Sequence, residues 1–163
     1  MKPETLETKL LKRIDRKRGD VFLRADFDDL GGYDQVGRVL RQLVREGKLV
    51  KVGQGLYARA RPSMTSGEPV PVGGLAALKE ALRRVGVETL PSRLEQAYNA
   101  GRTTQVPTGR VVGVNRRVRR KIGYGGFSLS FERADPRLVE RVAVDHLEKR
   151  RRNVVGQGGY VSR

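Results

Sequence analysis

Arg38, Arg41, Gln42 and Arg45 recur at spacings that an α-helix gathers onto one side. At about 100° per residue they share one face, and Val36, Val39, Leu40, Leu43 and Val44 share the opposite face. The polar face thus carries guanidinium and amide groups, with Gln35 at its start. Those groups make paired hydrogen bonds to the major-groove edges of guanine and adenine. Lys48, Lys51 and Gln54 follow on two short β-like runs, where they would reach phosphates beside such a groove. The bland alternative is an Arg-rich face that is simply solvated.

Two further basic clusters stand downstream. The first is Arg116, Arg117, Arg119, Arg120 and Lys121; the second is Lys149, Arg150, Arg151 and Arg152. Like charges on one strand face repel each other unless an anion is near. The first cluster therefore reads as a second contact surface for nucleic acid or an acidic protein. Its alternative is an edge kept from aggregating by its charge. The second cluster also suits the negative end of a helix.

Other chemistry has little to work with. The chain has no Cys, which excludes disulfides, a thiolate nucleophile and Cys-based metal sites. Its one histidine, His146, cannot build a multi-His metal site within one chain, and its place on an apolar stripe suits packing. No GxxxxGK[ST] loop occurs, and Gly53-Gln54-Gly55 lies between two strand-like runs rather than between a strand and a helix. The adjacent carboxylates Asp28 and Asp29 fall on an exposed-looking turn. No enzyme, cofactor or metal is expected.

Composition agrees with a polyanionic partner. The 163 residues hold 34 Lys and Arg against 18 Asp and Glu, a net charge of +16. Solubility alone asks for a net charge of only about 2–8 in magnitude. Hydrophobic residues make up 37%, enough for two modest cores. No signal core and no membrane-length apolar run is present, so a bacterial cytoplasmic, nucleoid-associated protein is expected. With 6% aromatic residues and no Trp, stacking platforms for single-stranded RNA are few.

The elements that must position these residues follow from pattern. Residues 4–17 read as a helix with Pro3 and two acids at its start, and Leu6, Leu10 and Ile14 as its apolar stripe. A short strand at 21–23 and a short helix at 25–30 come next. The acids of that helix, Asp26, Asp28 and Asp29, suit its N-terminal end and would point away from phosphate. A longer helix runs from Asp34 as N-cap to Glu46, and a hairpin follows at 48–52 and 56–61 around Gly53-Gln54-Gly55. This is the order of a winged helix-turn-helix domain, assigned to residues 1–61. Pro, Ser and Gly dominate 62–74, read as a linker. Residues 75–134 read as a small α+β domain. It would hold helices at 75–85 and 92–100, the second with Ser92 and Glu95 as a capping box, and an antiparallel sheet from 110–114, 118–122 and 127–132. A C-terminal helix and a basic flexible tail take 135–163, opening on Asp135-Pro136.

These residues resemble a known group. Leu10-Leu11 and Ile14, Val21-Phe22, Asp26-Phe27, the run from Leu40 to Leu49 and Gly55-Leu56-Tyr57 are similar to the winged-helix domain of AbiEi-type antitoxins of type IV toxin–antitoxin (abortive-infection) modules. The stretch from Ala97 to Gly101 and Thr104-Gln105-Val106-Pro107 resembles the C-terminal domain of short members of that superfamily. The resemblance implies an autorepressor that binds inverted repeats in double-stranded DNA at its own promoter. Monomers would bind the repeats pairwise, or as a weak dimer. It also implies neutralisation of a nucleotidyltransferase-like toxin, with no membrane partner. A solitary winged-helix regulator of a mobile element, or a basic module that captures an acidic toxin, are the alternatives.

Overall fold

The computed structural model describes residues 2–135 and Arg137. The C-terminal helix expected after Asp135, with His146, Lys149, Arg150, Arg151 and Arg152, lies outside the described residues. The fold is mixed α+β. In chain order come α1 (Leu6–Arg16), β1 (Val21–Leu23), a 3-10 turn (Arg24–Phe27), α2 (Tyr33–Arg45), β2 (Leu49–Gly53), β3 (Leu56–Pro62) and β4 (Pro69–Pro71). Then follow α3 (Leu75–Arg84), β5 (Thr89–Leu90), α4 (Arg93–Asn99), β6 (Val111–Val114), β7 (Gly123–Tyr124), β8 (Phe127–Ser128) and β9 (Ser130–Arg133). None of these helices is long and apolar enough to cross a membrane.

Two compact units form. Met1–Val87 with Arg119–Leu129 make the first, and Glu88–Val118 with the described residues from Ser130 make the second. The boundary differs from the linker expected at 62–74. In that stretch β4 pairs antiparallel with the far end of β3, and α3 then packs against β1. Proline's missing N–H hid the strand, since such a strand reads as a break. The ladder is held from its flanks, where Ser63 N–H donates to Glu68 O at 2.8 Å and Val72 N–H to Arg59 O at 2.8 Å.

In the first unit, α1 starts two residues later than expected, with Glu7 but not Glu4 in its first turn. Thr5 caps it, its hydroxyl accepting from Thr8 N–H at 3.2 Å, so Pro3 and Glu4 precede the helix. Leu10 and Ile14 are buried on its inner side. Arg59 closes the other end: its Nη2 donates to Ile14 O at 2.5 Å and Lys17 O at 2.6 Å, adding to the 3.3 Å bond that Ile14 O accepts from Lys17 N–H. β3 lies between β1 and β2, antiparallel to both. The stripe Val36, Leu40 and Leu43 of α2 is fully buried in a cluster with Leu10, Phe22 and Phe27. Residues 119–129 return to this unit, where β7 and β8 pair as a hairpin closed by Gly125 and Gly126.

The second unit is not the antiparallel sheet expected. β6 lies between β5 and β9, antiparallel to β5 but parallel to β9. Residues 118–122 form no strand, and the expected strand over 127–132 breaks at Leu129. The chain changes partner there: Leu129 N–H donates to Ile122 O at 2.9 Å, while Ser130 N–H donates to Arg110 O at 2.8 Å. The capping box of α4 forms as read, with Glu95 N–H donating to Ser92 Oγ at 3.1 Å and Ser92 N–H to Glu95 Oε2 at 2.7 Å.

Asp26 ties three elements of the first unit together. Its carboxylate accepts from Leu23 N–H at 3.0 Å, from Lys17 at 2.7 Å and from Arg84 at 2.5 Å. Burial pushes its pKa up, but the bonds from Lys17, Arg84 and Leu23 outweigh burial and hold it below its ordinary value of 3.8. The native carboxyl therefore protonates at lower pH than the unfolded one. Its contribution is complete above the ordinary value and is lost as pH falls through the native one. Asp26→Asn is expected to destabilise the protein by roughly 1–2 kcal/mol at neutral pH, with little difference from wild type once the native carboxyl is protonated. Urea melts at neutral pH and below pH 3.8 check this; a constant gap between the two proteins would contradict it.

Candidate functional site

Burial of one side of α2 determines what the other side shows. Arg38, Arg41 and Arg45 are exposed and make no hydrogen bond or ion pair with the described residues. Along a helix rising about 1.5 Å per residue, Arg38 and Arg45 stand roughly 10 Å apart. The three guanidinium groups therefore form one outward stripe.

The other polar residues of α2 have local partners. Gln35 caps its own helix: its Oε1 accepts from Gly32 N–H at 3.3 Å, so Gly32 is the N-cap and Asp34 is not. Gln42 Nε2 donates to Glu46 at 3.1 Å and reaches Glu7 of α1 at 3.5 Å. Lys48 pairs with Glu46 at 3.1 Å and lies 4.0 Å from Glu7. The bonds from Gln42 and Lys48 hold the Glu46 carboxyl below its ordinary value. Gln35, Gln42 and Lys48 thus serve the scaffold, and the arginines stand apart from them.

Arg24 and Tyr33 meet at the start of α2, and neither is a candidate from the sequence pattern. Tyr33, the first residue of α2, is 68% exposed. The Arg24 guanidinium lies 3.4 Å over its ring and donates to Tyr33 O at 2.5 Å. The available signal was Gly37 in mid-helix, where a Cβ would overlap that guanidinium. A lone glycine in a helical pattern marks such close approach.

The hairpin places Lys51 and Gln54 in the open. Gly55, at φ 67°, makes its turn. The first basic cluster divides between the units. Arg116 and Arg117 belong to the second, while Arg119, Arg120 and Lys121 belong to the first. Arg120 Nη1 donates to Gln54 O at 3.3 Å, which brings part of the cluster to the tip of β2–β3. The acids in and just after the 3-10 turn have partners of their own: Asp26 is held as described, and Asp29 takes a two-pronged bond from Arg13, one arm at 2.8 Å.

Fold and site together define a two-unit α+β protein with an open stripe of arginines on one helix and further cations at a hairpin tip. The chain belongs to DUF6088, a family of unknown function, whose model matches residues 8–151. Comparison with curated proteins and with solved structures finds no match.

The hairpin β7–β8 depends on the absence of a side chain at Gly123. A Cβ there would come within 2.7 Å of Ser128 Cα and closer still to Phe127 O, both of them backbone. Gly123→Ala is expected to undo this pairing and leave the β1–β3–β2 sheet intact. Amide hydrogen exchange reads it: Leu129 N–H should lose protection while Tyr57 N–H keeps it. Unchanged protection at Leu129 would count against the close approach.

Proposed function

We propose that this protein is a sequence-specific double-stranded-DNA-binding transcriptional regulator whose first unit is built on a winged helix-turn-helix. In this reading α2 is the recognition helix and β2–β3 the wing. The element order and the strand order β1–β3–β2 support it. The observation that carries it is the stripe Arg38, Arg41 and Arg45, exposed and without an ion pair among the described residues, while the neighbouring Gln42 and Lys48 are held by Glu46. A stripe of roughly 10 Å spans about three base pairs, and a helix fits the major groove. Tyr33, exposed at the helix start, lies off the stripe and under the Arg24 guanidinium. Lys51 and Gln54 grip backbone phosphates; Gln35, Gln42 and Lys48 hold the helix rather than read bases.

The resemblance to AbiEi-type antitoxins supports a narrower role as the autorepressing antitoxin of a type IV module. The protein would bind inverted repeats at its own promoter and neutralise a nucleotidyltransferase-like toxin encoded alongside.

Gel shifts on the upstream DNA across a salt series test the DNA reading. Arg38→Ala with Arg41→Ala should lower affinity for the operator by roughly 2–6 kcal/mol, from about 1–3 per paired base contact, and erase the preference over unrelated duplex. Lys51→Ala should weaken both duplexes alike and reduce the salt slope by about one. If the double variant keeps its operator preference, α2 is not the reading helix. Rescue of cells from the neighbouring gene product tests the antitoxin role; no rescue would leave a solitary regulator.

A further inference from the structure

The β2–β3 and β7–β8 hairpins of the first unit border an open cleft of about 460 Å³. Lys51, Arg120 and Lys121 line it, all exposed, and no carboxylate among the described residues does. Tyr124 and Phe127 add two half-exposed rings, tilted, with centroids 5.9 Å apart. Elsewhere in this unit Lys12, Arg13, Lys17, Lys48, Arg59 and Arg84 each face an acid. Three neighbouring cations without a counter-charge repel each other, and a bound anion relieves that repulsion.

We propose that this cleft binds one backbone nucleotide of a DNA strand, with its phosphate among Lys51, Arg120 and Lys121 and its deoxyribose against Tyr124 and Phe127. The proposal rests on the reading of the first unit as a DNA binder and adds a site away from α2. The volume lies in the range of small-ligand sites, about 300–1,000 Å³. A pocket for a free nucleotide, however, buries about 70–90% of its ligand. Here every cation stands in water, which suits a phosphate already held in place by its neighbours along a strand. The site is indifferent to sequence, because phosphate and sugar are the same in every nucleotide. The Arg120 bond to Gln54 O makes β7–β8 an extension of the hairpin already assigned to phosphate contact.

The test is a titration of the full-length, ¹⁵N-labelled chain at low salt. The probes are a short duplex of unrelated sequence and, separately, thymidine 5′-monophosphate. The amides of Gly53, Gly123 and Gly125 report the cleft, and those of Arg38 and Arg41 report α2. The duplex should move the three glycine amides in the wild type. It should not move them in Arg120→Gln with Lys121→Gln, whose salt slope should be smaller by about one. The mononucleotide should need at least a hundredfold higher concentration. Glycine amides that ignore the duplex overturn the proposal; if α2 responds in the same titration, the reading of α2 survives that failure. Glycine amides that move while α2 stays silent uphold the cleft as a backbone contact that needs no base reading by α2. A mononucleotide that binds as tightly as the duplex overturns the strand assignment in favour of a free nucleotide.

Discussion

Burial of the Val36, Leu40 and Leu43 stripe is the constraint from which the arrangement of the first unit follows. These side chains are fully buried with Leu10, Phe22 and Phe27. Turning α2 by one residue, about 100°, would bring arginines toward that cluster and lift leucines into water. Each exposed leucine would lose about 1.5–3 kcal/mol, and a guanidinium left unpaired in the core would cost several more. The azimuth of α2 is therefore set by its apolar side. Arg38, Arg41 and Arg45 point outward as a consequence, and Gly37 lets Arg24 lie close across the helix start.

Charge is then sorted by position. Carboxylates sit where elements meet: Glu4 with Lys12, Asp26 with Lys17 and Arg84, Asp29 with Arg13, Asp20 with Arg59, and Glu46 with Lys48. Exposed ion pairs of this kind add little to stability, less than one buried leucine. Their larger effect is on the field. They pair Lys12 and Arg13 of α1, Lys17, and Arg84 of α3 with acids, while among the described residues the outer stripe of α2 and Lys51, Arg120 and Lys121 have no such pair.

The parts of this arrangement legible in the sequence are those that depend on neighbours three or four residues away. The two faces of α2, the β2–β3 hairpin and the Ser92–Glu95 capping box are all of that kind. What depended on distant partners was not legible. A helical wheel says that Gln42 faces outward; it cannot say that Glu7, on another helix, stands opposite. Proline at Pro69 and Pro71 argued against a strand, yet β4 pairs because the donors on either side of it supply the bonds. The alternation Phe127, Leu129, Phe131 is real in sequence, but a period of two does not reveal that the chain switches sheets at Leu129. The parallel pairing of β6 with β9 was hidden for the same reason, since the run between them belongs largely to the other unit.

That discontinuity bears on what the first unit is. Ile122 is fully buried, and its Cδ1 lies beside Gly53 and Leu56. The residue reaches this place only after the chain has passed through Glu88–Val118. A fragment ending at residue 61 or 87 would carry α2 and the β2–β3 hairpin but would leave the side of Gly53 and Leu56 uncovered. Ile122 thus plugs apolar surface and, through its chain neighbours, delivers Arg120 and Lys121 to the hairpin tip. The same short segment supplies packing and charge, so the cations cannot be placed there without the burial that anchors them.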